Sequence, residues 1–241
     1  MRPPKQFVKK PGRNSKKTRI LIVDDHPMTR SGLAYLINHQ PDMLICCEAE
    51  NAAGALEGVT RTKPDLVLTD FALPDRNGLE LIKDIKALQP RLPVLVISMH
   101  EETLYAERVL RAGARGYITK EEGGEKLMQA IRHVLRGAIY VSDTMSARIL
   151  EIFSGGQTRK ERSPVEELSD REFEIFELLG DGLSTQQIAA KLHLSMKTVD
   201  AHRANIKEKL KLRTTSELIS FAARWTASTG RATGRLGFAP D

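Results

Sequence analysis

Four short apolar runs in this sequence are each followed at once by a residue that carries a charge or a hydroxyl. The runs and their following residues are 20–23 with Asp24 and Asp25, 66–69 with Asp70, 94–97 with Ser98, and 117–119 with Lys120. Continuous β-branched runs are typical of parallel strands that are buried on both faces. In open parallel sheets, ligand chemistry collects at the carboxyl ends of the strands. The pattern therefore predicts one crevice with three carboxylates, a hydroxyl and an ammonium, which is the composition of a phosphoryl-accepting site.

Strand and helix patterns alternate five times between residues 19 and 136. Strands are predicted at 19–23, 43–48, 65–69, 93–98 and 116–119. Helices are predicted at about 27–39, 51–62, 78–89, 101–112 and 122–136. This alternation predicts an α/β domain at 19–138, built on a doubly wound, five-stranded parallel sheet with right-handed crossovers.

The last third of the chain changes to an all-helical pattern. Three capping boxes mark helix starts, and they pair Ser169 with Glu172, Ser184 with Gln187, and Thr214 with Glu217. With Ser195 as a further N-cap, the pattern predicts helices at about 170–180, 185–192, 196–210 and 215–226. A second, smaller all-α domain is therefore expected at 168–227.

Three segments outside these domains are expected to lack a core of their own. Residues 1–18 are predicted to be a disordered basic arm, because residues 1–19 hold eight Lys and Arg and no acid. Such an arm is either simply solvated or makes non-specific contacts with phosphate. Residues 139–167 are predicted to be a linker with a short helix near 143–153, and residues 228–241 a flexible tail.

Composition excludes several classes of protein. With 241 residues, 41% apolar and 28% charged, the chain suits two small soluble domains. Neither a membrane span of roughly 20 apolar residues nor a secretory signal is expected. Cys46 and Cys47 are interpreted as core thiols in a reducing cytoplasm, because no other metal ligand lies near them in sequence.

The acidic residues have the chemistry of a magnesium site beside a nucleophile. Mg²⁺ prefers oxygen ligands, and Asp24, Asp25 and Asp70 can supply them. Asp70 can attack a phosphoryl group and become an acyl phosphate. Lys120 can then pair with the phosphoryl oxygens, and the Ser98 hydroxyl can donate a hydrogen bond to one of them.

The same residues carry a family resemblance. The segments LIVDDHP, LVLTDFALPDRNGLEL, VLVISMH and GARGYITK resemble the receiver domain of two-component response regulators, which has a flavodoxin-like fold. The resemblance implies that Asp70 is the phosphoacceptor, and that Asp24, Asp25, Asp70 and the carbonyl of Ala72 bind Mg²⁺. It implies that Ser98 and Tyr117 form the switch and that Lys120 contacts the phosphoryl group. Tyr117 as a simple packing residue, and a receiver that keeps the fold without the chemistry, remain alternatives.

The helical domain carries a second resemblance. The segment LSDREFEIFELLGDGLSTQQIAAKLHLSMKTVDAHRANIKEKLKL resembles the LuxR-type helix-turn-helix of the NarL/FixJ response regulators. On a helical wheel, Val199, Ile206 and Leu210 form one apolar stripe that should face the core. The opposite face contains Lys197, Ala201, Ala204, Asn205 and Glu208. Helix 196–210 is therefore expected to lie in the major groove.

The expected DNA contacts follow from side-chain chemistry. Ala201 can touch thymine methyls, and Asn205 can read a base edge. Lys197, Arg203 and Lys207 are placed for phosphates, with Lys209 and Lys211 further along.

Three neighbouring residues each leave two interpretations open. His202 either packs against the core or contacts DNA. Thr198 either contacts phosphate or supports the helix cap. Asp200 either repels phosphate or accepts a hydrogen bond from cytosine.

These features predict a transcription regulator controlled by phosphorylation. A sensor histidine kinase would phosphorylate Asp70 and release the helical domain to form a homodimer on double-stranded DNA, with RNA polymerase as a further possible partner. The protein is expected to be cytoplasmic, without membrane contact. No enzymatic activity is expected beyond slow autodephosphorylation, because a phosphohydrolase needs a second acid and Asp75 is the only extra acid nearby. A DNA- or protein-binding regulator that works without phosphate is the alternative.

Overall fold

The computed structural model describes residues 17–99, 102–153 and 164–228. Five parallel strands form one sheet in the order β2-β1-β3-β4-β5. The strands are β1 Thr18–Val23, β2 Met43–Ala49, β3 Leu66–Asp70, β4 Val94–Ser98 and β5 Gly116–Thr119. All five predicted strands are confirmed, and their bounds shift by at most one residue. Every residue of the central strands β3 and β4 is buried, which explains their unbroken apolar sequences.

Helices cover both faces of this sheet. They are α1 Pro27–Asn38, α2 Ala52–Thr62, α3 Gly78–Leu88, α4 Glu102–Arg111 and α5 Gly123–Leu135. Alternate strand residues serve two apolar cores, with Leu21 and Val67 in one and Ile20 and Leu66 in the other. The strand order reverses direction between β1 and β3, so the crevice of the fold opens at their carboxyl ends.

The smaller domain is all helical, as predicted. Its helices are α7 Asp170–Gly180, α8 Thr185–Lys191, α9 Met196–Lys209 and α10 Thr215–Ser228. The capping boxes at Ser169 and Ser184 both form, and Thr214 and Glu217 exchange equivalent hydrogen bonds. These reciprocal bonds satisfy backbone N–H groups that a helix start leaves free.

The segment between the domains is partly anchored. It contains the predicted short helix, α6 Asp143–Phe153, and a 3₁₀ turn at Pro164–Glu167. Before α6, Tyr140 pairs with the edge of β5, since its carbonyl accepts from the Tyr117 N–H and its own N–H donates to Arg115. The Ser142 N–H donates to Glu102 at the start of α4. The first half of the predicted linker therefore extends the α/β domain.

Other predicted segments fall partly outside the described residues. They are residues 1–16 of the basic arm, 154–163 of the linker and 229–241 of the tail. β1 begins at Thr18 and α10 ends at Ser228, one residue beyond the predicted domain at each end. Within the described ranges, no helix combines the length and apolar character needed to span a bilayer.

Candidate functional site

The carboxyl ends of four strands bring the predicted receiver residues together. Asp24 directly follows β1, Asp70 ends β3, Ser98 ends β4, and Lys120 begins the short 3₁₀ turn after β5. Asp24 and Ser98 are fully buried, and Asp70 is nearly so. Groups that lie up to 96 residues apart in sequence thus share one crevice.

Lys120 bridges the two buried carboxylates. Its Nζ lies 2.8 Å from Asp24 Oδ2 and 2.6 Å from Asp70 Oδ2. The other oxygen of each carboxylate accepts from backbone, Asp24 Oδ1 from the His26 N–H and Asp70 Oδ1 from the Ala72 N–H. The two aspartates are therefore held in place from both sides, with one Asp70 oxygen beside the only cation of this inner cluster among the described residues.

Burial and charge shift the pKa values of this cluster in opposite directions. Burial raises the pKa of Asp70, and the charge of Asp24 raises it further, against the lowering effect of Lys120. For Lys120, burial lowers the pKa, but the two carboxylates outweigh it and the net pKa is raised. Lys120 therefore stays cationic, and its charge opposes the net rise in the pKa of Asp70 that burial causes.

A divalent cation fits the outer side of the crevice. Asp24, Asp25, His26 and Asp70 each offer one ligand atom, and these atoms all lie within 4.8 Å of one another. Asp25 Oδ1 is buried and forms no well-aligned hydrogen bond with any described residue, although His26 Nδ1 lies 2.8 Å away. A buried carboxylate oxygen without a well-aligned donor is costly unless a cation satisfies it. The donor set, mostly carboxylate oxygens, suits a hard ion such as Mg²⁺.

His26 also belongs to this cluster. It precedes Pro27 at the start of α1, and the sequence favours a helix opening over a metal ligand or base at that position. In the fold its Nδ1 lies 2.8 Å from Asp25 Oδ1. The only available signal was its position next to two predicted metal ligands. Coordination by the Ala72 carbonyl stays a prediction.

Ser98 and Tyr117 are coupled by contact. Both side chains are fully buried, and the Tyr117 phenol is hydrogen-bonded to Ser98. Burial raises the pKa of Tyr117, so the phenol stays neutral at physiological pH. The Tyr117 side chain therefore points inward and contacts the hydroxyl next to the crevice, and its role as a switch stays a prediction.

The α9 helix presents the face expected of a DNA-reading helix. Val199, Ile206 and Leu210 are buried, and the opposite residues are all exposed: Lys197, Ala201, Ala204, Asn205 and Glu208. Lys207 and His202 lie half-buried at its sides. The predicted division of the helix into a core face and an open face is therefore present.

Several flanking residues of α9 have intramolecular partners. The Ser195 hydroxyl accepts from the Thr198 N–H, and the two hydroxyls lie 2.8 Å apart, so Thr198 supports the cap. Arg203 donates to Thr185 of α8 and to Asp200, at 3.1 Å for the latter. Lys209 pairs with Glu172 at 2.6 Å. Arg203 and Lys209 thus help to hold α9 on its neighbours.

Comparisons with known proteins agree with both halves of this structure. The family models for the response regulator receiver domain and for bacterial regulatory proteins of the luxR family match residues 20–132 and 166–222. The oxygen regulatory protein NreC of Staphylococcus carnosus is 34% identical over 210 residues, which cover 86% of this chain and 97% of NreC. The chain belongs to the NarL/FixJ response regulators. It is a transcription factor of the two-component type, with a receiver and a LuxR-type helix-turn-helix domain.

Solved structures share the fold of this response regulator. RcsB of Salmonella enterica serovar Typhimurium, bound to promoter rprA with the phosphomimetic BeF₃⁻, matches with a TM-score of 0.66 at 23% identity. That match covers 86% of this chain and 99% of RcsB. A LuxR-family response regulator from Aurantimonas matches 58% of this chain at 33% identity, with a TM-score of 0.54.

The two domains of the response regulator are docked through α4 and α7. Arg108 of α4 donates to the carbonyls of Leu168 and Val165 at 2.9 and 3.2 Å, and its guanidinium lies 4.3 Å from the centre of the Phe173 ring. Tyr105 of α4 donates to Glu177 of α7. Sequence reasoning missed this interface, because its residues lie 57 or more positions apart and form no local motif.

Proposed function

We propose that this response regulator is switched by phosphorylation of Asp70 from a partner histidine kinase. An Asp70 carboxylate oxygen attacks the phosphorus of a phosphohistidine, forms the new P–O bond and breaks the P–N bond. The histidine nitrogen leaves with the electron pair and takes up a proton. Lys120, whose Nζ lies 2.6 Å from Asp70 Oδ2, would pair with an oxygen of the transferred group.

Asp24, Asp25 and Asp70 would hold a Mg²⁺ ion, with His26 beside them. When bound, this ion supplies the positive charge that lets a carboxylate approach an anionic phosphoryl group. We propose no catalysis beyond acceptance of the phosphoryl group, because acceptance needs no additional acid and no substrate-binding loop. The phosphoryl group would then be lost by slow hydrolysis.

The transferred group would be read by Ser98 and Tyr117. The phosphoryl group adds up to two negative charges beside a buried hydroxyl. Ser98 then has a stronger acceptor than the Tyr117 phenol, and their hydrogen bond is exchanged for one to the phosphoryl oxygen. This change alters the packing at the α4 side of the sheet, where the second domain docks.

The output is sequence-specific binding of double-stranded DNA by α9, followed by control of transcription. RcsB is bound to promoter DNA in related structures, including one of two RcsB dimers on two DNAs. By analogy we propose a phosphorylation-dependent homodimer on paired half-sites, with RNA polymerase as a downstream partner. We place this function in the cytoplasm, where Cys46 and Cys47 stay free thiols.

The observation that carries the proposal is the Lys120 bridge between Asp24 and Asp70 at the strand ends. Selection from a random duplex pool, with and without acetyl phosphate plus Mg²⁺, tests it. We expect a paired half-site motif to be enriched only with the phosphodonor. Equal enrichment in both arms would favour a DNA-binding regulator that works without phosphate.

A further inference from the structure

An arginine of α1 contacts the backbone of the acidic cluster. The side chain of Arg30 is 12% exposed, and its Nη1 donates to the carbonyl oxygen of Asp24 at 2.6 Å. The same guanidinium reaches the end of β2, where its Nε lies 3.4 Å from Glu48 Oε2 and its Nη2 donates to Glu50 Oε1 at 3.0 Å. One planar group therefore ties the end of β1 to the end of β2 beside the acidic cluster.

The carbonyl that Arg30 contacts belongs to the peptide bond between the two adjacent aspartates. That peptide is planar, so a fixed Asp24 carbonyl also fixes the direction in which the chain continues to Asp25. The Asp24 N–H donates to the Ala49 carbonyl at 3.1 Å, and both carboxylate oxygens of Asp24 have donors. Arg30 thus supplies the partner of the remaining polar atom of Asp24 and holds the peptide plane on which Asp25 depends.

The Asp25 carboxylate depends on this plane because its own contacts do not hold it. Its Oδ1 forms no well-aligned hydrogen bond with any described residue, and its side chain is 33% exposed. The carboxylate is one of the ligands proposed for Mg²⁺, an ion that requires near-ideal octahedral geometry. The direction of the peptide between Asp24 and Asp25 therefore determines where this ligand lies.

A guanidinium is suited to this position and an ammonium is not. Arginine presents several N–H donors in one rigid plane, so it can bond a carbonyl and two carboxylates at the same time. Lysine carries the same charge as a compact group on a flexible stem. Glu48 and Glu50 are exposed, so their ion pairs contribute little stability and serve mainly to orient the guanidinium toward the carbonyl.

We propose that Arg30 is a positioning residue of the magnesium site, and that it acts through the Asp24 carbonyl to place the Asp25 carboxylate on the ion. This inference deepens the proposed function and rests on it, because the Mg²⁺ site belongs to that function. Arg30 itself offers the ion no ligand atom, since a guanidinium has donors only.

Charge and positioning predict opposite effects for the loss of Arg30. A guanidinium repels Mg²⁺, so on that ground alone its removal would strengthen Mg²⁺ binding. Loss of positioning weakens Mg²⁺ binding, because residues that orient metal ligands are worth about ten- to a hundredfold in metal affinity. Arg30→Met removes the charge and keeps an apolar chain, whereas Arg30→Lys keeps the charge and removes the planar set of donors. Positioning therefore predicts weaker binding in both variants.

The test measures metal affinity directly in the full-length protein. Electron paramagnetic resonance of Mn²⁺ gives the affinity of the site for that ion, and displacement by Mg²⁺ gives the Mg²⁺ affinity. We expect Arg30→Met and Arg30→Lys each to weaken Mg²⁺ binding about tenfold. Arg61→Met is the matched control and should bind like wild type, because Arg61 pairs with Glu57 on the exposed surface of α2.

The Mg²⁺ dependence of phosphorylation separates positioning from damage to the fold. With acetyl phosphate as the donor, the Mg²⁺ concentration that gives half the maximal rate should rise about tenfold in both Arg30 variants. The rate at saturating Mg²⁺ should stay within about twofold of wild type, because the lost interaction affects binding of the ion. A partly unfolded variant would instead show a lower maximal rate at an unchanged half-saturating concentration, since only its folded fraction reacts.

The outcomes separate this inference from the function on which it rests. If Mn²⁺ binds none of the proteins, the metal site of the proposed function fails. If it binds and both Arg30 variants have the affinity of wild type, the positioning role is wrong. Tighter Mg²⁺ binding by Arg30→Met would mean that the arginine acts by its charge, and wild-type binding by Arg30→Lys would overturn the need for the planar group. A lower maximal rate alone would make Arg30 a structural residue only.

Discussion

The receiver site and the α9 surface differ in whether their charged and polar groups are buried or exposed. In the receiver, Asp24 and Asp70 are buried, and the half-buried Lys120 lies within 2.8 Å of both. On α9, Lys197 and Asn205 are exposed to solvent. Burying the charged groups of the receiver cluster costs free energy, and one added charge changes their interactions strongly. The α9 surface stays exposed, so it avoids that cost, and it acts through many weak contacts. A single substitution should therefore have a large effect in the receiver site and a small effect on the α9 surface.

The largest expected effect is at the phosphoacceptor. Asp70→Asn removes the nucleophilic oxygen, so incorporation of phosphate from acetyl phosphate with Mg²⁺ should fall to background, and phosphate-stimulated DNA binding should be lost with it. Radiolabel incorporation and circular dichroism measure the chemistry and the fold. Asp75→Asn, on the same loop, is the control. Its two carboxylate oxygens accept from the Ala52 and Ala53 N–H groups at the start of α2, and the amide oxygen of asparagine keeps one of these bonds. Undiminished stimulation in Asp70→Asn would rule out the phosphorylation switch.

Two glycines allow the receiver and the DNA-binding domain to be destabilised separately. A Cβ at Gly78 would lie 2.6 Å from the Phe71 carbonyl oxygen, next to Asp70. A Cβ at Gly180 would lie 2.7 Å from the Ala222 carbonyl oxygen, where α7 crosses α10. Each alanine variant should destabilise the protein by about 1–3 kcal/mol. Only Gly78→Ala should also slow phosphorylation, because only it displaces the backbone beside the phosphoacceptor.

Urea unfolding measures these losses, followed by circular dichroism for the whole protein and by the fluorescence of Trp225, the single tryptophan, for the DNA-binding domain. Gly32→Ala is the control, since nothing lies within 4 Å of a Cβ placed there in α1. It should stabilise by about 0.5–1 kcal/mol, because glycine is a poor helix former. Slower phosphorylation in Gly180→Ala would show that the two regions are not independent.

The same contrast explains what the sequence revealed. Strands, helices and the converging residues Asp24, Asp70 and Lys120 follow from local patterns, because an apolar run and its following residue determine both the strand and the position of its end. Capping boxes such as Ser169 with Glu172 are local for the same reason. The α9 wheel separated core from exposed residues, because helical periodicity is regular over 14 residues.

Contacts between distant segments had no such signal. Arg203 looks like a phosphate contact in sequence, yet its guanidinium is bonded to Thr185 and Asp200. The pairing of Tyr140 with β5 and of Tyr105 with Glu177 depends on how whole elements pack. Periodicity shows which face of α4 is apolar, but the partner of that face is chosen by three-dimensional shape.

A smaller effect is expected at the capping box of α7. Burial alone would raise the pKa of Glu172, but hydrogen bonds from Lys209 and from Ser169 outweigh it, and the net pKa is lowered. A carboxylate with a lowered folded-state pKa stabilises above its ordinary value, 4.5, and loses that contribution as the pH falls below it. Glu172→Gln should therefore cost about 1 kcal/mol at pH 7 and less below pH 4.5. Urea unfolding at both pH values measures it, and an equal loss at both would contradict the ionic origin.

The smallest expected effect distinguishes two lysines of one helix. Lys207 lies at the side of the exposed α9 face, whereas Lys209 is bonded to Glu172 at 2.6 Å. If Lys207 contacts a phosphate, Lys207→Ala should weaken binding about equally on all duplexes and lower the logarithmic salt slope by about one. Lys209→Ala should leave the salt slope unchanged and lower the free energy of unfolding instead, because the Lys209 ammonium already pairs with Glu172. Titrations of a non-specific duplex at several salt concentrations measure both slopes. Equal slopes for the two variants would mean that α9 does not approach DNA by the face that the core leaves open.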